Sequence, residues 1–129
     1  MYLCNVMFMD KRLVFTTSTE LVRVRPETVV YITADGNYSA INMADGGNFV
    51  LTLQLGQMER RIASMLDDND SRFIRIGKSL IVNRDFIAFI NTTRQKLVLS
   101  DGKTFRHEVS ASKEALKALK ELLEKETKQ

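Results

Sequence analysis

Alternating apolar and polar side chains mark the first legible elements of the chain. Leu13-Val14-Phe15-Thr16-Thr17 and Leu21-Val22-Arg23-Val24-Arg25 are rich in strand formers, and Ser18-Thr19-Glu20 between them predicts a hairpin. Residues 29–33 and 38–43 make the next pair. They are broken by Asp35-Gly36-Asn37, a triplet able to take the positive φ of a tight reversal. Asp45-Gly46-Gly47-Asn48 is a further hairpin signal, feeding 49–53. The period then changes. Leu55, Met58, Ile62, Met65 and Leu66 recur at helical spacing, with Glu59, Arg60, Arg61 and Ser64 on the opposite face.

Asp67-Asp68-Asn69-Asp70 closes that helix, and strands are expected at 72–76, 79–82, 86–90, 96–99 and 103–107, with turns at 91–95 and Asp101-Gly102. At the end of the chain Ala115, Leu116, Leu119, Leu122 and Leu123 form the stripe of a terminal helix. Its N-cap is Ser110 or Ser112, and Glu114 stands in its first turn. The order is β-rich, helix, β-rich, helix, without a β-α-β rhythm, so the predicted class is mainly antiparallel β with two short or medium helices. No repeat of solenoid length occurs.

At 129 residues, 44% hydrophobic and 27% charged, with a single proline, the chain has the length and composition of one self-folding domain. We expect residues 1–11 to be an extension and 12–129 the domain. Cys4 is the only cysteine, so no intramolecular disulfide forms, and a reducing cytoplasmic setting is expected. The apolar stretch 2–9 is interrupted by Asn5, too short to cross a membrane, and followed by the basic pair Lys11-Arg12. It is expected to add a strand or helix over the sheet, the alternative being a dimer contact. The net charge of +3 is unevenly spread. Residues 1–59 carry four cations and six anions, 60–106 ten and five, and 107–129 five and five. A basic stripe confined to one segment suits a nucleic-acid surface, although solvated strand and helix faces produce the same count.

Catalytic and metal chemistry find no constellation. Gly77-Lys78-Ser79 ends like a phosphate-binding loop, but the earlier glycine that the motif requires is replaced by Arg72. Asp67 to Asp70 do not open a calcium loop, because the twelfth position is Lys78 instead of a glutamate. With one histidine, His107, and one cysteine, no zinc set assembles within the chain. His107 lies between Arg106 and Glu108, as at an exposed strand end, and no Gly-x-Ser-x-Gly elbow is present. We expect no enzyme, no cofactor and no metal.

Phe73-Ile74-Arg75-Ile76-Gly77-Lys78-Ser79-Leu80-Ile81-Val82-Asn83 sets two cations and a serine in a frame of strand formers. Arg75, Lys78 and Ser79 are therefore expected as donors on a rigid edge, suited to phosphate oxygens and base edges. With Asn83-Arg84-Asp85-Phe86-Ile87 behind it, the stretch resembles the central signature of the LytTR (LytR/AlgR type) DNA-binding domain of bacterial response regulators. Val29-Val30-Tyr31-Ile32 before Asp35-Gly36-Asn37-Tyr38, the leucine-rich run through Leu66, Leu97-Val98-Leu99 before Asp101-Gly102, and Val109-Ser110 before a helix follow in that family's order. The resemblance covers residues 12 to 123. It implies an elongated stack of small antiparallel sheets that enters successive major grooves of duplex DNA with loops and strand ends.

Carried over position by position, the resemblance points to three places. These are Asn37, Tyr38 and Ser39; Arg75, Gly77, Lys78 and Ser79, with Arg84 behind them; and Ser110, Ser112 and Lys113, where a helix start can hold a phosphate. Local roles compete with these. Asn37 can simply shape its turn, Tyr38 pack, Arg75 join a sheet-surface ion pair, and Asn83 fix the turn after it. Two positions depart from the family, Gly77 where histidine is common and Ala111 where arginine follows Val-Ser. Loss of that arginine removes a contact worth roughly 1–3 kcal/mol of base discrimination, unless Lys113 substitutes. The family's N-terminal phosphoacceptor domain has no counterpart in these residues. The expectation is a stand-alone regulator on double-stranded DNA at repeated half-sites, with a homodimer as an option and no membrane partner. Four to six phosphate-contacting cations would give a salt slope of about −4 to −5. The alternative is a protein-interaction module that kept the fold and lost DNA, motivated by Gly77 and Ala111.

Overall fold

Burial alternates along the first strand, β1 (Leu13–Thr16), where Leu13 and Phe15 are fully buried and Thr16 is exposed. It pairs antiparallel with β2 (Leu21–Val24), which buries Val22 and Val24, in the register Leu13 to Val24. The computed structural model describes residues 11–127, so the element expected over 2–9 lies outside the described residues. After a one-turn 3-10 helix, Pro26–Thr28, come β3 (Val29–Asp35), β4 (Tyr38–Met43), β5 (Asn48–Leu51) and helix α1 (Leu55–Met65). Then follow β6 (Phe73–Ile76), β7 (Leu80–Asn83), the one-turn helix Arg84–Phe86, β8 (Ile87–Asn91), β9 (Lys96–Ser100), β10 (Arg106–Ser110) and helix α2 (Lys113–Thr127).

Among the described residues all pairings are antiparallel. Besides the β1-β2 ribbon there is a five-stranded sheet in the order β5-β4-β3-β7-β6 and a three-stranded sheet in the order β10-β9-β8. Among the described residues, the mainly antiparallel architecture with two helices is the one the residue pattern predicts. Among the described residues no helix is long and apolar enough to cross a membrane.

The five-stranded sheet is covered on both faces. Ile32, Ile41 and Ile81 join Leu13, Phe15, Met58 and Ile62 in one core, under the β1-β2 ribbon and α1. Val30, Leu80 and Val82 join Leu97, Leu99, Leu116 and Leu119 in a second core, under the small sheet and α2. The register shift between Val29 and Tyr31 turns Val30 and Tyr31 to the same side, so a single bulge feeds both cores. β7 is buried at all four positions because both faces of the sheet are covered there, Ile81 entering the first core and Leu80 and Val82 the second.

Four strands start later than expected, β6 at Phe73 instead of 72 among them, and in three a side chain captures the backbone first, Asp70 accepting from the Arg72 N–H at 3.1 Å. The strand expected at 103–107 is β10, because the Asp101 carboxylate accepts from the N–H groups of Lys103, Thr104 and Phe105 at 2.8, 2.7 and 3.2 Å and holds them in a turn. The strand expected at 86–90 begins at Ile87, behind a 3-10 turn capped by Asn83. The strand expected at 79–82 begins at Leu80, because Ser79 belongs to the reversal before it. His107, expected at an exposed strand end, is instead half-buried, its ring 5.5 Å from those of Tyr31 and Phe105.

Asn83 is fully buried and joins three segments. Its Nδ2 donates to the carbonyls of Val29 and Pro26 at 2.8 and 3.3 Å, and its Oδ1 accepts from the Asp85 N–H at 3.0 Å. The local turn-fixing role is thus the one it performs. We expect Asn83→Ala to leave these buried groups unpaired and cost on the order of 3 kcal/mol, read as a lower urea midpoint. Asp101 is held well below the usual carboxylate range, first by the Thr104 hydroxyl and then by the Lys103 N–H, with desolvation opposing and the Thr104 and Phe105 N–H groups adding to the effect. Its contribution is complete above the unfolded carboxyl's pKa of about 4 and is lost as pH falls below it. The stability gap between wild type and Asp101→Asn should therefore be constant from neutral pH down to about 5 and close below about 4. Thermal melts across that range measure it.

Candidate nucleic-acid interface

Two reversals of the central sheet meet at one end. In the first, Asp35 pairs with Tyr38 across Gly36-Asn37. Gly36 has φ +62° and Asn37 does not take a positive φ, the signature of a type II′ turn. Asn37 and Tyr38 are exposed, Tyr38 by 49%. The Asn37 Oδ1 accepts from Gln54 Nε2 at 3.4 Å, and Gln54 in turn has its N–H capped by Gln57 Oε1 at 2.9 Å at the start of α1. Ser39 is a correction. It is fully buried, and its hydroxyl donates to the Leu53 carbonyl at 2.6 Å, so it faces the first core and not a ligand.

The second reversal, Gly77-Lys78-Ser79, joins β6 to β7 where Ile76 pairs with Leu80. Gly77 sits at φ +62°, where a side chain is strained, and a Cβ there would meet only open space. The Ala34 N–H donates to the Ser79 carbonyl at 2.9 Å, which fixes the two reversals side by side. Lys78 and Ser79 are exposed, and Lys78 forms no ion pair among the described residues.

Arg75 departs from its expected role as a free donor. Its Nη1 meets Glu59 Oε1 at 2.9 Å, while Nε and Nη2 donate to the carbonyls of Gly77 and Lys78, each at 3.0 Å. The ion-pair alternative is the one realised. Arg84 is a further correction. Its Nε donates to the Ser71 carbonyl at 2.9 Å, its Nη1 pairs with Glu126, and it lies at the far end of β7, roughly 13 Å of strand away.

The third expected place is adjacent to the second. Ala115, on the first turn of α2, lines one surface depression together with Ile76 and Gly77. Ser112 is the N-cap, its Oγ accepting from the Ala115 N–H at 3.1 Å, and Lys113 follows it, exposed. Ser110 is exposed at the end of β10. Ala111 packs on the second core, so the position where the family carries arginine points inward here and Lys113 is the next exposed cation.

Arg60 was not singled out from sequence. It read as one of four polar residues on the outer face of α1. Its guanidinium lies back over Gly56, 3.6 Å from where a Cβ would be, on the first turn of the helix whose cap touches Asn37. It has no ion pair among the described residues. The i, i+4 spacing of a glycine and an arginine at a helix start was the available signal. An acidic cluster lies elsewhere, since Arg72 is 4.0, 4.0 and 3.7 Å from Glu27, Asp70 and Asp85, all beyond the opposite ends of β6 and β7, while Glu59 is taken up by Arg75 and Glu114 stands exposed after Lys113. Asp35 is the exposed carboxylate beside Asn37.

The sequence profile of the LytTr DNA-binding domain matches residues 19–124. Among solved structures, the fold is similar to the LytTr DNA-binding domain of a Bacillus cereus protein described as a methyl-accepting/DNA response regulator. The two share 23% identity at a TM-score of 0.58, over 88% of this chain and 96% of that one, a likeness of fold. No curated protein matches significantly. Because Ser39 bonds only within the core, we expect Ser39→Ala to lower stability by about 1–3 kcal/mol and leave duplex binding unchanged, measured by thermal melts and fluorescence anisotropy.

Proposed function

We propose, from the premise that this chain belongs to the LytTR family of DNA-binding domains, that it regulates transcription by reading duplex DNA sequence with the two joined reversals. The observation that carries the reading is the Ala34 to Ser79 hydrogen bond, which presents Asn37, Tyr38, Lys78 and Ser79 as one edge. In the major groove an asparagine can pair with both adenine N6 and N7, and a lysine with guanine O6 or N7. Asn37 and Lys78 take those roles. Asp35 beside them is an acceptor for cytosine N4.

Arg60 and Lys113 flank the edge and neutralise phosphates, with the α2 start beside Gly77. Three cations without an acidic partner support a salt slope of about −3. That is shallower than the sequence count suggests, because Arg75 and Arg84 are occupied within the fold. Repeated half-sites follow if successive grooves are entered from one side.

Selection of bound duplexes from a random pool at two ionic strengths tests the proposal. Enrichment of a spaced motif is expected, and a featureless pool at both salt concentrations would end it. On the enriched duplex, Asn37→Ala should cost about 1–3 kcal/mol of discrimination at one base position. Arg60→Ala with Lys113→Ala should weaken all sequences alike and flatten the salt slope by roughly 2.

A further inference from the structure

The Arg75 guanidinium spends all three nitrogens on the protein, one on Glu59 and two on the carbonyls of Gly77 and Lys78. Its charge is matched at 2.9 Å by a carboxylate on α1, and its side chain is only 27% exposed. A trans peptide unit is planar, with its N–H opposite its C=O. Drawing the carbonyls of Gly77 and Lys78 toward Arg75 therefore turns the N–H groups of Lys78 and Ser79 the other way, into solvent. Neither N–H meets an acceptor among the described residues. Two successive amides without an acceptor, facing away from Arg75, are a donor pair able to hold phosphate oxygens.

Resting on the reading of this edge as a DNA surface, we infer that Arg75 is a positioning residue that never touches DNA and that the Lys78 and Ser79 amides bind one DNA phosphate. Glu59 fixes the guanidinium from the helix side, so α1 and the reading turn are held as one unit. The Asn37 to Gln54 contact ties the neighbouring reversal to the same helix. A lysine at position 75 could keep the ion pair but could not bridge two carbonyls and a carboxylate in one plane.

The test compares wild type, Arg75→Lys, Arg75→Ala and Glu59→Ala on the selected duplex and a scrambled one across a salt series, with thermal melts and 15N–1H spectra of each. In wild type, duplex should shift the Lys78 and Ser79 amide signals downfield and leave the Arg75 Nε–H signal in place. Arg75→Lys and Arg75→Ala should lose specific affinity about tenfold, the size of one contact, with the salt slope unchanged because no phosphate loses a cation. Glu59→Ala should lower the ratio of specific to scrambled affinity. A slope flattened by about 0.9 in Arg75→Ala would place the guanidinium on a phosphate and overturn the inference, as would full rescue by lysine or a higher ratio in Glu59→Ala. If wild type binds no duplex, the DNA reading itself fails. Spectra of the free proteins then decide the positioning role, and unchanged Lys78 and Ser79 signals in Arg75→Lys overturn it.

Discussion

Asn83 is the constraint on which the two halves of the fold depend. The chain leaves the five-stranded sheet at this residue and enters the small sheet through a single 3-10 turn, with no linker to absorb error. A buried amide that donates to the carbonyls of Pro26 and Val29, at the entry to β3, and accepts from the turn beyond it fastens those halves together. Water could satisfy the same groups only if the corner opened. That corner seats Val30 and Val82 against Leu97 and Leu99, so the second core inherits its geometry from three hydrogen bonds. Among the described residues no buried side-chain polar atom lacks a partner, which is the condition for such a network to rigidify a core.

Charge is sorted along the strands of the central sheet. Carboxylates and the arginines they hold, Arg72 and Arg84, collect where β7 ends, while the cations left without acids stand where β7 begins. On the proposed reading, the anionic end repels a duplex and the cationic end draws it, which orients the approach. Arg75 sits between these regimes. It has the residue type of a phosphate ligand and the hydrogen bonds of a scaffold.

The fold was legible because its signals are local. Periodicity marked both helices, and Asp35-Gly36-Asn37 and Asp101-Gly102 marked reversals that exist. Strand starts were less legible, since an Asp101 or an Asn83 captures backbone groups through contacts that hydrophobic pattern does not record. The candidate site was legible by place more than by residue. All three expected segments lie at or beside the joined reversals, yet Ser39, Arg75 and Arg84 are withdrawn from them by a carbonyl, a glutamate on α1 and a glutamate on α2. Those partners lie 14, 16 and 42 residues away in sequence. Arg60 was missed for the converse reason, since nothing in the hydrophobic pattern separates it from the other polar residues on the outer face of α1.

The reversals owe their shape to Gly36, Gly77 and the arginine behind them, with the Asn37 to Gln54 contact as a tie to α1, and among the described residues no hydrogen bond to the side chains of Tyr38 or Lys78 holds them. Frame and fingertips are therefore separable. On the proposed reading, descendants of this scaffold can exchange the tips at Tyr38 and Lys78 without renegotiating stability, and a designer can treat those two positions as a dial set into a fixed bezel.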